Sequence, residues 1–359
     1  MLIDKVIIYA NDSSITTLVY IKDKLCFMVT DVKNNAATES IFISKITRIN
    51  QQQQTAFINY TENNTGFINL NKQANYQTGS SICTQLTWQG NNSKQAKFRT
   101  GFELIGKYLI YQQAADKCYI KAKQLNEQFT LHLQENQLAI YPAHWLMRSS
   151  VTQHTDVIAI TAEAQYLYQQ AETIAKQIKN SSTTQQLYSG TANYLRTLRE
   201  LNLNIGCEVI TNDNHINQQL LDRQNIWQID AITHDTNLNI SQQLLEYQYH
   251  CSQTIFQTKN KIIIEYGELS GIHLFDINSN DSNMPNHSIN YDCIESIYTQ
   301  VCLRNLQGII LIDIIKNTGT KYENKLLHQL TKLFKQDISQ TQVLGISHSG
   351  LIEIIRNKY

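Results

Sequence analysis

The sequence carries no excess of charge of either sign, because 30 Lys and Arg residues balance 30 Asp and Glu residues over its 359 positions. A uniform field that would draw the whole chain to nucleic acid or to a membrane surface is therefore excluded, and any site for a polyanion must be local. Proline is nearly absent, with two residues, while Gln, Asn, Ile, Lys and Tyr are abundant. Apolar periodicity persists throughout, so the composition indicates a folded protein and a genomic bias rather than disorder.

The cysteines include no Cys-x-x-Cys pair that could clamp a zinc ion, and all seven are widely scattered, at positions 26, 83, 118, 207, 251, 293 and 302. We therefore expect reduced thiols and no zinc. Long hydrophobic runs are missing as well. The apolar N-terminus MLIDKVIIYA is interrupted by Asp4 and Lys5, and no segment reaches the roughly 18 apolar residues of a membrane span. We expect a soluble protein of the cytoplasm with no membrane partner.

Short runs with strand-like alternation fill the first part of the chain, separated by Asn, Asp and Gly turns. From residue 5 to about 90 they predict a small all-β module, entered from a first hairpin and closed as a barrel. Three further strands, GKYLIYQQ, KCYIKAK and FTLHLQ, are predicted up to about residue 140. Helical spacing predicts helices over three segments, residues 160–179, 184–200 and 240–257.

The final part of the chain has the clearest pattern. The turn from Gly267 to Gly271 joins NKIIIEY and IHLFDI as a hairpin. Apolar residues then recur at three- and four-residue steps over 290–305 and again over 321–336, which predicts two amphipathic helices with the strand IILIDII between them. The strand, helix and strand in this order form a crossover, which almost always joins parallel strands.

Both strands of this crossover end on an aspartate, Asp276 in GIHLFDINSN and Asp313 in GIILIDII. Parallel neighbours lie about 4.8 Å apart, so matching positions bring the two carboxylates within reach of one cation. Asn278, two residues after Asp276, can add a carbonyl oxygen. An all-oxygen set predicts Mg²⁺, with Mn²⁺ as the alternative, and such ions commonly serve phosphate chemistry. The competing hypothesis is that each Asp merely caps a turn or a following helix.

Several segments together resemble one known family. HLFDINSN, followed by INYDCIESIYTQVCLRNLQGIILIDII, resembles the catalytic segment of the RNase E/G endoribonucleases, usually I-D-x-N-S-G, T-N-x-E-A-A, L-R-x-x-x-G-G and I-V-I-D-F-I. SKITRINQQQQTAFINYTENNTGFINL resembles the start of their RNA-binding OB-fold module, and SKQAKFRTGFELIGKYLIY with HWLMRSS resembles their sensor for a 5′-monophosphate. HSGLIEIIRNK is similar to the G-L-L-E-M-T-R ending of the catalytic domain, so the resemblance runs nearly end to end.

The resemblance implies an α+β multidomain fold and an enzyme that hydrolyses single-stranded RNA, leaving 5′-phosphate and 3′-hydroxyl ends. Asp276 and Asp313 would bind Mg²⁺, and Asn278 would be a catalytic residue that orients the metal water or the scissile phosphate. The implied domains are an RNase H-like domain split between 1–35 and 188–251, an OB-fold RNA-binding domain at 36–89, a 5′-sensor region at 90–187 and a DNase I-like catalytic domain at 252–359.

The resemblance also implies residues that contact RNA. Phe57 and Phe67 would stack on unpaired bases, although the alternative is that both rings fill the barrel core. Arg148 would grip the 5′-phosphate, with Ser149 in place of the usual Thr, unless it is a solvated arginine at a strand end. Further RNA contacts are implied for Lys94, Lys97, Arg99, Lys107 and Arg304. The alternative for the four residues near the barrel is that they form a charged protein surface that binds no ligand.

The sequence departs from the family pattern at several places. Gln95 replaces the sensor glycine, which weakens the case for 5′-end sensing because a backbone amide there would approach a phosphate closely. Asn280 replaces the glycine after N-S. DISQ and SHSGL replace D-R-A-R and S-R-x-G-L, so arginines that would contact RNA are missing and binding should be weaker.

These departures leave two alternatives to an active nuclease. One is an RNA-binding paralogue with weakened or absent catalysis, and the other is a structural partner in an RNA-processing assembly. The sequence also stops at Tyr359, where larger relatives continue with a Cys-Pro-x-Cys zinc link and a small dimerisation domain. We therefore expect no zinc-linked dimer, and the oligomeric state stays open.

Overall fold

The computed structural model describes residues 3–33, 37–70, 76–90, 94–112, 119–121, 127–152, 154–279, 282–316, 319–335, 337, 339 and 341–357. Within these ranges the chain has a mixed α/β fold that divides into two compact units. The terminal unit comprises Met1–Asp31, Leu201–Leu220 and Ile229–Tyr359, and the central unit comprises Val32–Glu200 and Leu221–Gln228.

The described residues form 21 strands and eight α-helices. The strands are β1 Ile3–Ala10, β2 Ser14–Ile21, β3 Lys24–Val32, β4 Ile41–Asn50, β5 Thr55–Asn59, β6 Thr65–Asn69, β7 Ser81–Trp88, β8 Ala96–Thr100, β9 Glu103–Ile105, β10 Leu109–Gln112, β11 Tyr119–Lys121, β12 His144–Met147, β13 Gln185–Tyr188, β14 Leu203–Thr211, β15 Ala231–His234, β16 Ile255–Gln257, β17 Ile263–Leu269, β18 Ile272–Asn278, β19 Gly308–Asp313, β20 Thr341–Ile346 and β21 Leu351–Arg356. The helices are α1 Glu127–His132, continued by the π-helical turn Leu133–Gln137, α2 Val157–Asn180, α3 Asn193–Glu200, α4 Asn214–Leu221, α5 Gln224–Trp227, α6 Ser241–Ser252, α7 Asn286–Leu303 and α8 Thr320–Phe334.

Five strands of the central unit close into a small OB-like barrel in the order β4-β5-β6-β8-β7, with β7 pairing back to β4. Side-chain alternation builds it, since Ala56 and Ile58 in β5 are buried while Phe57 between them is not. Gly66 in β6 is required because a Cβ there would collide with the ring of Phe98. The predicted barrel is confirmed, but its last strand β8 lies beyond the predicted domain end at residue 89, because it pairs with both β6 and β7.

The central unit also contains the four-stranded sheet β11-β12-β10-β9, which packs against α2. This helix begins after Asp156, whose carboxylate accepts a hydrogen bond from the Ile158 N–H. It buries side chains at three- and four-residue steps, namely Ile160, Ala164, Leu167, Ala171 and Ile174. The helix predicted over residues 160–179 is therefore confirmed.

Two other secondary-structure predictions for the central unit are wrong. FTLHLQ lies in α1 and the following π-helical turn, not in a strand: Leu131 is 46% exposed while Leu133 is fully buried, which is incompatible with one face of a strand. The helix predicted over 184–200 exists only as α3, because residues 185–188 pair with β4 as strand β13.

The terminal unit contains two sheets. The first has the order β15-β14-β1-β2-β3, with β1 parallel to β14 and antiparallel to β2. The second has the order β16-β17-β18-β19-β21-β20. In it β18 and β19 are parallel and are connected through α7, so the predicted crossover is confirmed.

Helices α7 and α8, predicted over 290–305 and 321–336, pack their apolar residues with one face of the second sheet. The opposite face of the central strands β18 and β19 carries the aspartates. The helix predicted over 240–257 ends earlier, at Ser252, because residues 255–257 pair with β17 as strand β16. No helix in the described part of the chain is long and apolar enough to cross a membrane.

Candidate active site and nucleic-acid interface

The two predicted metal-binding aspartates lie opposite each other on neighbouring strands. Asp276 in β18 is the register partner of Asp313 in β19, and both strands run in the same direction. Phe275 and Ile312, the residues immediately before them, are fully buried in the core shared with α7 and α8. Because side chains alternate across a strand, both aspartates point to the open face of the sheet, where Asp276 is half-buried and Asp313 is exposed. This is the neighbouring placement that the crossover predicts.

A third carboxylate, Glu265 in β17, extends this row by one strand. Glu265 is the register partner of Asp276. The amide nitrogen Nδ2 of Asn278 donates to Glu265 Oε1 and to Asp276 Oδ2, at 3.2 Å each. Asn278 therefore presents its nitrogen, rather than its carbonyl oxygen, to the carboxylates. Sequence analysis missed Glu265, although the tight turn at Ser270 and Gly271, both with positive φ, sets the register of this hairpin.

The open face offers oxygen donors to a divalent cation. Among the residues that the structure describes, no group of three or more His, Cys, Asp and Glu side chains could hold a metal ion. A facing pair of carboxylates nevertheless fits Mg²⁺, because this ion keeps several waters and is usually held by one or two carboxylates together with substrate phosphates. Asp276 and Asp313 are the residues that would hold it.

Asn290 anchors the strand that carries Asp313. This fully buried residue of α7 donates from Nδ2 to Ile315 O at 2.8 Å, and its Oδ1 accepts from Ile315 N at 3.0 Å. The two bonds fix the backbone two residues beyond Asp313, and so restrain the direction in which that carboxylate leaves the strand. Sequence analysis assigned no role to Asn290, because its partner is 25 residues away along the chain.

The barrel presents a row of aromatic and basic side chains across neighbouring strands. Phe57 in β5 lies opposite Phe67 in β6, and Phe67 lies beside Lys97 in β8. Neither ring belongs to the barrel core, so the alternative that they fill it is wrong. Exposed Arg48 in β4 is the partner of Phe57. Sequence analysis missed Arg48, because a bulge after Ile46 shifts it out of the two-residue alternation. Two aromatic rings thus lie between two cations, an arrangement that suits unpaired bases joined by phosphates.

Arg148, predicted to grip a 5′-phosphate, follows β12 and is held by two acceptors. One guanidinium nitrogen donates to Gly106 O at 2.7 Å, and the other forms a short ion pair with Glu200. Ser149 beside it is exposed. A phosphate would therefore have to compete with Glu200 for this guanidinium.

A buried carboxylate shapes the turn next to Arg148. Glu163 in α2 is 1% exposed and accepts hydrogen bonds from the backbone N–H groups of residues 107–109. Burial raises the pKa of the Glu163 carboxyl, and the N–H groups oppose this rise because they favour the charged form. A Cβ at Gly106 would collide with this carboxylate, which explains the glycine. Lys107, a predicted RNA contact, donates from Nζ to Trp227 O at 3.0 Å.

A comparison with known families decides the relationship of this chain. The profile of the ribonuclease E/G family matches residues 103–359. The chain belongs to this family. It is similar to a proposed ribonuclease E of Buchnera aphidicola subsp. Baizongia pistaciae (strain Bp), with 23% identity over 91% of this chain and 88% of the relative.

Two further relatives carry ribonuclease names. Ribonuclease E of Buchnera aphidicola subsp. Acyrthosiphon pisum (strain APS) is 21% identical over 89% of this chain and 39% of the relative. Ribonuclease G of Escherichia coli (strain K12) is 36% identical over 69 residues, which are 19% of this chain and 14% of the relative. The chain thus spans most of the first relative but less than half the length of these two.

The range matched by the ribonuclease E/G family includes the aspartate pair, Asn278 and Arg148, but excludes the barrel formed by residues 41–100. The case for RNA binding by the barrel row of Arg48, Phe57, Phe67 and Lys97 therefore rests on the geometry of these residues and not on the family match. Of the other predicted RNA contacts near the barrel, Lys94 is exposed and Arg99 forms a short ion pair with Glu103. Gln95, in place of the family glycine, donates from Nε2 to Thr65 Oγ1 at 3.4 Å.

Arg304 lies where the ribonuclease E/G pattern has L-R, but it caps the end of α6. Its guanidinium donates to the carbonyl oxygens of Cys251 at 2.9 Å, His250 at 3.1 Å and Gln253, and it lies 4.5 Å from the centre of the Tyr266 ring. These are contacts that stabilise a helix C-terminus. RNA contact by Arg304 stays a prediction that this placement does not favour.

The segment that replaces the family's D-R-A-R supplies a buried ion pair. Asp337 and Arg356 are paired at 2.7 Å, and both side chains are fully buried. Asp337, the aspartate of this segment, therefore has a structural role. Three residues at which the sequence departs from the family lie outside the described residues, namely Asn280, Ile338 and Gln340.

Proposed function

We propose that this chain is a divalent-cation-dependent endoribonuclease that hydrolyses single-stranded RNA and leaves 5′-phosphate and 3′-hydroxyl ends. The observation that carries the proposal is the register pairing of Asp276 with Asp313 on an open sheet face. Membership of the ribonuclease E/G family supports the reaction class. The basic and aromatic row of the barrel supports unpaired RNA as the substrate, because a duplex does not expose the faces of its bases.

Each residue of the site has a defined task in this proposal. Asp276 and Asp313 would hold Mg²⁺, with Mn²⁺ as a substitute. When bound, such an ion lowers the pKa of a water and neutralises charge that builds on the phosphoryl oxygens. Asn278 orients the Asp276 carboxylate through its amide nitrogen, and Asn290 fixes the end of β19. Two acidic side chains without a cation would repel the phosphate backbone, which is why the ion is needed for binding as well as for chemistry.

The proposal includes the finer domain architecture. The sheet built from β1, β2, β3, β14 and β15 would be the RNase H-like domain, which the chain enters twice, at 1–35 and at 188–251. The six-stranded sheet with α7 and α8 would be the DNase I-like catalytic domain. The sheet that contains β12, the strand immediately before Arg148, would form the 5′-sensor region together with α2. We also propose that the protein acts in the cytoplasm.

The direct test is cleavage of a fluorescent A/U-rich single strand by the full chain. With Mg²⁺ we expect internal cuts, and the downstream products should carry a 5′-phosphate, measured by mass spectrometry. Chelation of the cation should stop cleavage. Binding without cutting would contradict the enzyme proposal and support the RNA-binding paralogue, whose expected signature is loss of catalysis with retained affinity. Cleavage that continues in excess chelator would show that the reaction needs no divalent cation and would contradict this part of the proposal.

A separate prediction concerns recognition of the 5′ end of the RNA. If Arg148 binds a 5′-phosphate, Arg148→Ala should lower the cleavage rate of 5′-monophosphate RNA about tenfold or more, the value of one or two charge-assisted hydrogen bonds, and leave 5′-hydroxyl RNA unaffected. Glu200→Gln should have the opposite effect, since it removes the charge that competes with the phosphate for the guanidinium. The measurement is the ratio of the two cleavage rates for each variant. An equal loss on both RNAs in Arg148→Ala would indicate a structural role for Arg148 instead.

A further inference from the structure

The aromatic and basic row of the barrel continues onto a fifth strand. Trp88, the last residue of β7, is the register partner of Lys97 in β8. In the same pair of strands Leu86 faces Phe98, and both of these side chains are buried in the barrel core. The register shifts between Leu86 and Trp88, so the indole follows exposed Lys97 to the outer surface instead of entering the core. Trp88 is half-buried.

The order of the row matters for what it can bind. From β4 to β7 it reads Arg48, Phe57, Phe67, Lys97 and Trp88. Neighbouring strands lie about 4.8 Å apart, and in a small barrel the strands tilt steeply, so that such a row runs obliquely along the surface and its members share one side. Lys97 therefore lies between two aromatic side chains, one strand away from each.

The charge of the barrel strands selects among possible ligands. The five strands β4, β5, β6, β7 and β8 contain no Asp or Glu, but they contain four cations, Lys45, Arg48, Lys97 and Arg99. Arg99 is paired with Glu103 in β9, so Lys45, Arg48 and Lys97 remain as a local excess of positive charge in a chain without net charge. Aromatic faces separated by a cation complement bases separated by a phosphate, whereas an apolar peptide would have no partner for the cations.

We propose that Trp88 is a third base-stacking side chain, which binds an unpaired nucleobase next to the one on Phe67 while Lys97 contacts the phosphate that joins them. The assignment depends on the proposed RNA substrate and adds a nucleotide subsite to it. Trp88 would also compensate in part for the arginines that the sequence lacks elsewhere, because stacking adds affinity that is largely independent of salt.

Intrinsic fluorescence gives a direct test, because the other two tryptophans, Trp145 and Trp227, are 1% and 5% exposed. The full chain with Asp313→Asn, which prevents cleavage, is titrated with oligouridylate. We expect quenching of the half-buried Trp88 indole on binding, and no quenching in the same chain with Trp88→Phe. Affinity is measured in parallel by anisotropy of labelled RNA. Trp88→Phe should bind within about threefold of the parent, whereas Trp88→Leu should bind about fivefold to a hundredfold more weakly, the range found for removal of one stacking side chain.

The controls separate this proposal from the function on which it depends. Tyr249→Leu removes another exposed aromatic ring, on α6 in the terminal unit, and should leave RNA affinity unchanged. If the chain binds RNA but binding leaves the Trp88 fluorescence unchanged and Trp88→Leu retains full affinity, Trp88 is not a subsite, and the proposed nuclease function stands. If the parent chain binds no RNA, both the proposed nuclease function and the proposed base-stacking role of Trp88 are wrong. A loss of affinity in Trp88→Leu without a quench in the parent would also overturn stacking. Circular dichroism checks that both Trp88 variants are folded.

Discussion

Asp313→Asn is expected to lower the rate of RNA cleavage by about a thousandfold or more while leaving the protein at least as stable as the parent. The loss follows from the removal of one of the two carboxylates that would hold the cation. The variant should keep its stability because Asp313 is exposed at the end of β19 and faces Asp276 on the neighbouring strand. Like charges directly opposite each other destabilise a sheet, so replacing one by an amide of the same size relieves repulsion.

The opposite signs of the two effects distinguish a functional from a structural aspartate. An Asp that merely caps a turn would lose stability on substitution and would not affect the chemistry. Cleavage is measured under single-turnover conditions over a range of Mg²⁺ concentrations, and stability by thermal unfolding without the ion. Asp276→Asn should also raise the Mg²⁺ concentration needed for half of the maximal rate. Asp12→Asn, an exposed aspartate near the turn between β1 and β2, is the matched control. Cleavage by Asp313→Asn at the parental rate would place the active site elsewhere.

The aspartate pair could be predicted from the sequence because every step to it is local. Strand β18, helix α7 and strand β19 are consecutive, each has a clear apolar period, and the crossover rule makes the two strands parallel. Glu265 was accessible by the same reasoning, since the turn at Ser270 and Gly271 fixes which residues face each other in the hairpin. Glu265 lies on the preceding strand β17, outside the segment HLFDINSN that resembles the family's catalytic motif.

The residues that were missed or misjudged have distant partners or follow a bulge. Arg304 meets the end of α6, 51 to 54 residues away, and Lys107 reaches the Trp227 carbonyl 120 residues away. A motif indicates that such a basic residue is present, but not whether protein or RNA binds it. Arg48 and Trp88 follow register shifts of one residue, which reverse the face of every later side chain. A strict two-residue period cannot locate such shifts.

The buried pair of Asp337 and Arg356 is expected to have the largest effect on stability. Both side chains are fully buried, and the guanidinium donates to Asp337 Oδ2 at 2.7 Å and to Oδ1 at 2.9 Å. Its remaining nitrogen donates to Asn305 Oδ1 at 3.0 Å and to Leu306 O at 2.6 Å, and Asp337 also accepts from Thr341. The network joins β21 to the turn after α7 and to the start of β20.

Arg356→Met should destabilise the terminal unit by about 3 to 5 kcal/mol, because it leaves the Asp337 carboxylate buried without its cation. The double variant Arg356→Met with Asp337→Leu should recover much of this loss, since apolar side chains of similar volume can replace a buried ion pair at little net cost. Because the chain has two compact units, the readout must be local, and we choose amide hydrogen exchange of residues 351–356. Exchange should accelerate about a hundredfold or more in Arg356→Met. Glu353→Gln, on the same strand with its side chain on the other face, should change exchange little. If Arg356→Met exchanged at the parental rate, the buried pair would be dispensable for the stability of β21.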